Sequence, residues 1–330
     1  MQKEIVIYKN IAESLVEKLK SNNYKVTHFY SIDDLNRDEF HKSLLNASGI
    51  VGTHVRVNED LLKYAPNLKA VSTISVGYDA IDVDCMSNKG IAVMHTPNVL
   101  NDSMADFMMA LVLAVSRKIV FTMDYMRDHK WNGPLPLNCF GQEVHHKKVG
   151  IVGMGRIGEV FAKRCKLGFD MEVSYYSRTQ HKSVEDLYGA KHLDLDTLLK
   201  ESDFVVVILP STPQTKHMFS HKQFEMMKRS AIFINAGRGP VVDEEALIEA
   251  LKSNKIAGAG LDVFEKEPLS ESPLFSLDNV VVVPHIGTST IETQNIMSEC
   301  AVDNVINALN GNIEKNCVNY NNIKNLINKN

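Results

Sequence analysis

Absences bound this chain first. Its 330 residues hold one tryptophan and five cysteines, and no two cysteines form a C-x-x-C pair. Cys85, Cys139, Cys165, Cys300 and Cys317 are odd in number and scattered. Neither a disulfide framework nor a cysteine-bound metal is expected from them, and free thiols in a reducing cytoplasm are. No group of histidines and cysteines stands at ligand spacing, so no metal is expected at all. Basic tracts are missing beyond the short His145-His146-Lys147-Lys148 group, which reads as a solvated approach to a strand. With a formal net charge of -4, the chain lacks the electrostatic footprint of a nucleic-acid binder. The most apolar stretch, residues 107–115, is too short to span a bilayer and reads as a buried helix, so no membrane partner is expected. Met1-Gln2-Lys3-Glu4 leads straight into a strand-like run, without the pattern of a secretory signal. Internal repeats and low-complexity segments are also lacking.

What is present is alternation. Short apolar runs at 5–8, 26–30, 49–52, 68–74 and 91–94 read as strands, with helical spacing at 11–19 and around Leu61-Leu62. Alternating β and α segments imply a parallel sheet covered on both faces. Pro97-Asn98 breaks the pattern. Asp102 or Ser103 is then placed to cap a long helix over 104–117. Residues 126–142 look irregular. A second series of six strands follows near 149–152, 171–176, 204–209, 231–235, 258–263 and 280–283. A helix over 292–309 is expected to return to the first unit, and residues 319–330 to form a loose polar tail. The expected organisation is thus two α/β domains: residues 1–100 with 291–330, discontinuous, and residues 101–290.

The second series opens on Gly153-Met154-Gly155-Arg156-Ile157-Gly158, between an apolar run and a helical one. In that setting the first glycine permits the tight turn, the second lets backbone approach a pyrophosphate, and the third lets helix and strand pack closely. Free N–H groups at the helix start, Arg156 and Ile157 among them, favour phosphate charge. A dinucleotide is the ligand this predicts. The next strand ends in Tyr176-Ser177-Arg178-Thr179, with no acid to hold a ribose 2′-hydroxyl. Arg178 can instead pair with a 2′-phosphate, with hydrogen bonds from Ser177 and Thr179. The expectation is NADPH in preference to NADH; the alternative is that Arg178 is an exposed arginine and both cofactors serve.

Three residues beside later strand ends carry chemistry: Arg238, Glu267 and His285. Taken singly, they read as a capping arginine, an ordinary turn and a satisfied strand-end histidine. Together, behind a dinucleotide loop, they suggest hydride transfer coupled to proton transfer on a small carboxylate. His54, His95 and His217 have no such company and read as structural or surface residues.

Asn235-Ala236-Gly237-Arg238-Gly239, Asp262-Val263-Phe264-Glu265-Lys266-Glu267-Pro268 and Pro284-His285-Ile286-Gly287 resemble segments of the D-isomer-specific 2-hydroxyacid dehydrogenases. Ser75-Val76-Gly77-Tyr78-Asp79 looks like that family's substrate loop, and Asn316-Cys317-Val318-Asn319 like its C-terminal segment, with Lys315 where a proline is common. Within the family, the chain is most similar to the bacterial glyoxylate/hydroxypyruvate reductase B group, also called 2-ketogluconate reductases. The resemblance implies a Rossmann cofactor domain and a flavodoxin-like substrate domain, both doubly wound, with the active site in the cleft. It implies that Arg238 grips the oxo acid, His285 donates the proton, Glu267 orients the imidazole, and the N–H groups of Val76 and Gly77 hold the carboxylate. Further cofactor contacts would come from Leu209, Pro210 and Thr215, from Ala236 and Gly237, and from Asp262 and Gly287.

It also implies a homodimer formed through the cofactor domains, and closure about hinges near 97–102 and 288–292. Glyoxylate and hydroxypyruvate are the first substrates expected, with 2-ketogluconate next. Val55-Arg56 and Leu135-Pro136-Leu137 are candidates for lining the pocket. Trp131 either reaches a neighbouring subunit's site or packs in the core or interface. Ser177-Arg178 fits a D-lactate dehydrogenase poorly, and Glu267 replaces the Gln expected of a formate dehydrogenase. The length leaves no room for the regulatory extension common in phosphoglycerate dehydrogenases. The other class of function is an NAD(H)-sensing corepressor-like binding protein, which can keep the same three residues; the chain lacks the long interaction tail expected of one.

Overall fold

The computed structural model describes residues 2–327. The chain divides into two compact units, Met1–Leu100 with Thr290–Asn330 and Asn101–Ser289.

In the first unit, β1 (Glu4–Tyr8), β2 (Lys25–Phe29), β3 (Ala47–Gly52), β4 (Ala70–Thr73) and β5 (Ala92–Met94) form one sheet in the order β2-β1-β3-β4-β5. Every pairing is parallel. That is the flavodoxin-like order, with its direction reversing between β1 and β3. All of β1 is buried, including Glu4, whose carboxylate is met by Thr27 Oγ1 at 2.9 Å and Lys25 Nζ at 3.1 Å. One face packs on Tyr8, Phe29 and Phe40. On β3, Gly49 brings the helix Ile291–Leu309 close: a Cβ there would lie 2.7 Å from Val305 Cγ2. Ser72 on β4 donates to Ala301 O at 2.8 Å, which fixes the same helix along the sheet.

The expected loose tail is corrected where it is described. Residues 320–327 form the helix Tyr320–Ile327, with Ile323 fully buried. Asn319, 3% exposed, accepts from Val93 N at 2.9 Å and donates to Ile91 O at 2.9 Å and Ser87 Oγ at 3.1 Å. Its amide therefore completes the edge of β5. Residues 328–330 of the expected tail lie outside the described residues.

In the second unit, β6 (Lys148–Val152), β7 (Glu172–Tyr176), β8 (Lys191–His192), β9 (Phe204–Val207), β10 (Ile232–Asn235), β11 (Gly258–Leu261) and β12 (Val280–Val282) run β12-β11-β10-β9-β6-β7-β8. All pairings are again parallel. The order reverses between β6 and β9, the switch point at which open α/β sheets bind ligands. Seven strands replace the six expected. The extra one, β8, is two exposed polar residues at the sheet edge, too short to leave a periodic signal.

The helix Asn101–Ser116 starts earlier than expected, so Asp102 and Ser103 lie inside its first turn. Asp102 is held by Arg164, Nη2 to Oδ1 at 2.9 Å, rather than acting as the cap. This helix covers β11 closely, since a Cβ on Gly260 would lie 3.3 Å from both Leu111 Cβ and Val115 Cγ2. A ring cluster of Phe219, Phe224 and Phe233 anchors the core on the sheet's other side. Each such ring is worth about 1.5–3 kcal/mol of burial.

Because three buried polar partners depend on one amide, Asn319→Ala should lower stability by about 3 kcal/mol. Urea unfolding would read this as a lower midpoint at unchanged slope, and a midpoint equal to the parent's would contradict the role assigned to the amide.

Candidate active site

The glycine loop separates into its parts on inspection of what surrounds each glycine. Gly153 follows β6 with φ +107, and a Cβ there would lie 2.6 Å from Ile208 O. Gly158, inside the helix Arg156–Phe169, would put a Cβ 2.6 Å from Gly153 O. Both are required by the chain itself. Gly155 is different: it caps the helix at φ -100, and its missing Cβ would meet nothing within 4 Å. No protein neighbour demands glycine there. Room is left beside helix N–H groups that have no partner within the helix, which fits a pyrophosphate approaching the backbone.

At the end of β7 the chain holds no acid. Ser177 is partly buried and Arg178 and Thr179 are exposed. The Ser177 hydroxyl donates to Thr179 O, and His192 on β8 bonds Ser177 O through Nε2 at 3.0 Å. The small edge strand missed in the sequence therefore shapes this turn. Beyond β9, Thr215 Oγ1 accepts from Thr212 N at 2.8 Å and donates to Pro210 O at 2.7 Å, closing a compact turn after Leu209.

Arg238 follows β10. Asn235, 1% exposed, accepts from Gly237 N at 3.1 Å and donates to Arg238 O at 3.2 Å, so one buried amide shapes the whole turn. Ala236 N donates to Val207 O at 3.3 Å, and Gly237 lies against Leu209, where a Cβ would sit 2.7 Å from the carbonyl oxygen. Arg238 Nη1 donates to Gly237 O at 2.8 Å. Gly239 is tighter still, with Phe264 O 1.8 Å from its would-be Cβ. Asn235 and Gly239 were visible in the sequence only as letters flanking Arg238; their positioning roles depend on contacts that no local pattern reveals.

His285 and Glu267 meet. Nδ1 of the imidazole lies 2.8 Å from Glu267 Oε2, and Phe264 N donates to Glu267 Oε1 at 3.0 Å. The hydrogen bond to Glu267 raises the His285 pKa, against partial loss of water, and the charges of Glu267 and Asp262 add to the rise while Arg238 opposes it. For Glu267, loss of water pushes upward, but the bonds from His285 and Phe264 N and the charges of His285 and Arg238 outweigh it and lower the pKa. Asp262, 1% exposed at the end of β11, accepts from Ile286 N at 2.6 Å and Gly287 N at 3.1 Å. Burial raises its pKa in spite of those donors. It sets the backbone of His285, which adopts φ +52 and donates its own N–H to Asp262 O at 3.0 Å.

Val76 and Gly77 belong to the first unit, in the loop after β4. Ser75 Oγ donates to Gly77 O at 2.5 Å, and His95 Nδ1 lies 3.0 Å from Val76 O. Both carbonyls are thereby tied down, while among the described residues neither N–H of the pair donates to a protein acceptor. Val55 is partly buried and Arg56 exposed in the loop after β3; Leu135 and Leu137 are exposed in the second unit, as is Trp131. No group of three or more metal-ligating side chains occurs among the described residues, and none of their helices is long and apolar enough to cross a membrane.

Residues 109–287 match the family model "D-isomer specific 2-hydroxyacid dehydrogenase, NAD binding domain". Among curated relatives, a probable 2-ketogluconate reductase of Dictyostelium discoideum is 61% identical, over 98% of this chain and 97% of its own length. A glyoxylate/hydroxypyruvate reductase B of Yersinia pestis (strain Pestoides F) is 50% identical, over 97% and 98%. The solved NADPH-dependent glyoxylate/hydroxypyruvate reductase of Sinorhizobium meliloti, in complex with NADP and malonate, superposes with a TM-score of 0.81 at 29% identity, covering 94% of each chain. The protein is an oxidoreductase dependent on a nicotinamide cofactor. It belongs to the D-isomer-specific 2-hydroxyacid dehydrogenase family, as the motifs in its sequence led one to expect.

Linkage gives the acid–imidazole pair a pH signature. The raised His285 pKa contributes stability that is complete below its ordinary value of 6.5 and is lost as pH rises through the elevated folded value. The lowered Glu267 pKa contributes stability present above its ordinary 4.5 and lost as pH falls through the depressed folded value. With 46% and 34% of their side chains exposed, the gain is small and is set by solvent screening. Glu267→Gln should lower the His285 titration midpoint in an imidazole NMR experiment; an unmoved midpoint would show that the pair is not coupled.

Proposed function

We propose that the protein is an NADPH-preferring reductase of small 2-oxo acids, yielding D-2-hydroxy acids, with His285 as proton donor. Glyoxylate and hydroxypyruvate are the leading substrates and 2-ketogluconate follows, on the strength of the relatives' names. The observation that carries the reading is the bond between His285 Nδ1 and Glu267 Oε2. It commits one ring nitrogen to the carboxylate and leaves Nε2 as the atom able to face a substrate oxygen.

The cradle around Gly155 and the turns at 177–179, 209–215 and 236–238 suit a dinucleotide, and Asp262 and Gly287 are further residues that would hold it. When bound, the reduced nicotinamide supplies a hydride to the carbonyl carbon of the oxo acid. Arg238 offers a planar fork to the carboxylate and carbonyl oxygens, a geometry a lysine lacks. The N–H groups of Val76 and Gly77 are suited to the same carboxylate. As charge grows on the carbonyl oxygen, His285 Nε2 delivers its proton there, and Glu267 keeps the ring oriented and favours the charged form that can donate. In the oxidative direction the neutral imidazole takes the proton back.

Arg178 and the lack of an acid after β7 support NADPH over NADH. The helix Ile119–Arg127 buries no residue and exposes Ile119, Met123 and Met126, beside exposed Trp131, Leu137 and Phe140. An apolar surface of this kind supports a homodimer through the cofactor unit, with Trp131 either in that interface or at the neighbour's site. Five free cysteines suit a cytoplasmic setting.

The test is a matrix of initial rates, NADPH and NADH against glyoxylate, hydroxypyruvate, 2-ketogluconate and pyruvate. Turnover of one of the first three, faster with NADPH, is expected; tight cofactor binding without turnover of any acid would sink the reductase reading. Arg178→Ala should reduce the NADPH-over-NADH ratio of kcat/KM by about 10- to 100-fold, the worth of a charged hydrogen bond. His285→Gln should cut kcat by about 100- to 10,000-fold while cofactor affinity, read by fluorescence titration, holds. Sedimentation velocity should give one species of twice the chain mass.

A further inference from the structure

His217 and Glu265 stand outside every role assigned so far, and neither follows from the sequence motifs. His217 lies past the Thr212–Thr215 turn in the left-handed region, at φ +49. Its N–H donates to Pro240 O at 2.9 Å, and Phe219 N donates to Val241 O at 3.1 Å, so this segment runs alongside the one that follows Arg238. The His217 side chain then crosses that segment: Nε2 lies 2.5 Å from Glu265 Oε1. Glu265 is also tied by its backbone, since Glu265 N donates to Glu244 Oε2 at 3.3 Å and Glu244 N to Glu265 Oε1 at 3.5 Å. One residue before Glu265 is Phe264, whose carbonyl abuts Gly239 and whose N–H holds Glu267.

We propose that the His217–Glu265 contact is a positioning strut: it joins the turn after β9 to the loop that carries Glu267, with the Arg238 turn clasped between them. Three loops from three neighbouring strands, β9, β10 and β11, are thereby held as one piece. The loop between Asp262 and Pro268 is otherwise exposed from Glu265 onward. Without the strut, Phe264 N and hence the Glu267 carboxylate lose their lateral support, and the imidazole of His285 loses a fixed partner. Glu244 and Glu265 face each other as two carboxylates, each accepting from the other's backbone N–H, and a ring nitrogen of His217 meets Glu265 Oε1. Neither His217 nor Glu265 is assigned contact with substrate or cofactor; they act through Glu267.

This inference rests on the reductase reading for its kinetic test, and on geometry alone for its spectroscopic one. The experiment takes the full-length protein with His217→Asn, a residue that tolerates left-handed backbone and is too short to reach Glu265, with Glu265→Gln, and with the double variant. Each single substitution is expected to lower kcat for 2-oxo acid reduction roughly ten- to a hundredfold, as misplacement of a reacting group does. KM for the oxo acid is expected to stay within about twofold, because Arg238 is still present to bind it. The double variant should be no slower than the slower single, since both remove the same strut. The melting temperature should move little, because the pair is solvent-exposed. The His285 imidazole titration, followed by NMR without any substrate, should shift downward in both singles. Parent-like kcat and titration, or losses that multiply in the double variant, would overturn the proposal. If the parent reduces no 2-oxo acid, the reductase reading fails by itself, and the strut is judged on the His285 titration.

Discussion

A carboxylate taken out of water must be met by donors, and at Asp262 the donors are the backbone N–H groups of Ile286 and Gly287. The requirement links the ends of two neighbouring strands, β11 and β12. Because the donors follow His285 directly, satisfying Asp262 fixes the backbone that carries the imidazole, φ +52 included. The ring then reaches Glu267, whose other oxygen is held by Phe264 N on the same loop as Asp262. Loss of the Asp262 carboxylate would remove more than one hydrogen bond: two buried or half-buried N–H groups would lose their acceptor, and the imidazole its setting.

The neighbouring turns are fitted around this lock by the absence of side chains as much as by their presence. Gly237 admits Leu209 and Gly239 admits Phe264, so the Arg238 turn sits between the exits of β9 and β11 with no room for a Cβ at either contact. Asn235 supplies the internal bonds of the turn. Rigidity here comes from close backbone contact rather than from burial of the side chains themselves. His285 and Glu267 are exposed, yet their orientation is set by buried neighbours.

Much of this was legible in the sequence for a physical reason. The strands β1, β4, β5, β9, β10 and β11 are buried throughout and largely apolar, and the glycine loop is a short-range pattern with a steric cause at Gly153 and Gly158. What escaped reading depends on partners distant along the chain. β8 is two polar residues whose pairing to Ser174 and Tyr175 makes them a strand. Asp102 looks like a cap until Arg164, two helical segments later, engages it. Asn319 sits in polar company that suggests solvent, yet its amide is buried against Ile91 and Val93. His217 looked isolated because Glu265 is far off in sequence. Short-range chemistry was readable, and the Glu267–His285 pair followed from the family resemblance; the other cross-loop contacts left no local pattern.

The open space at Gly155 has a consequence for how damage to this protein would be noticed. Gly153 and Gly158 are needed for the chain to pack, so side chains there harm folding and would be removed by the cell's quality control. At Gly155 the backbone conformation is one any residue adopts, and a Cβ would meet no atom of the described residues within 4 Å. Gly155→Ala would give a protein that expresses, purifies and melts like the parent. On the proposed cofactor site its defect would show only when a dinucleotide is offered, so a collection of variants sorted by solubility alone would keep it.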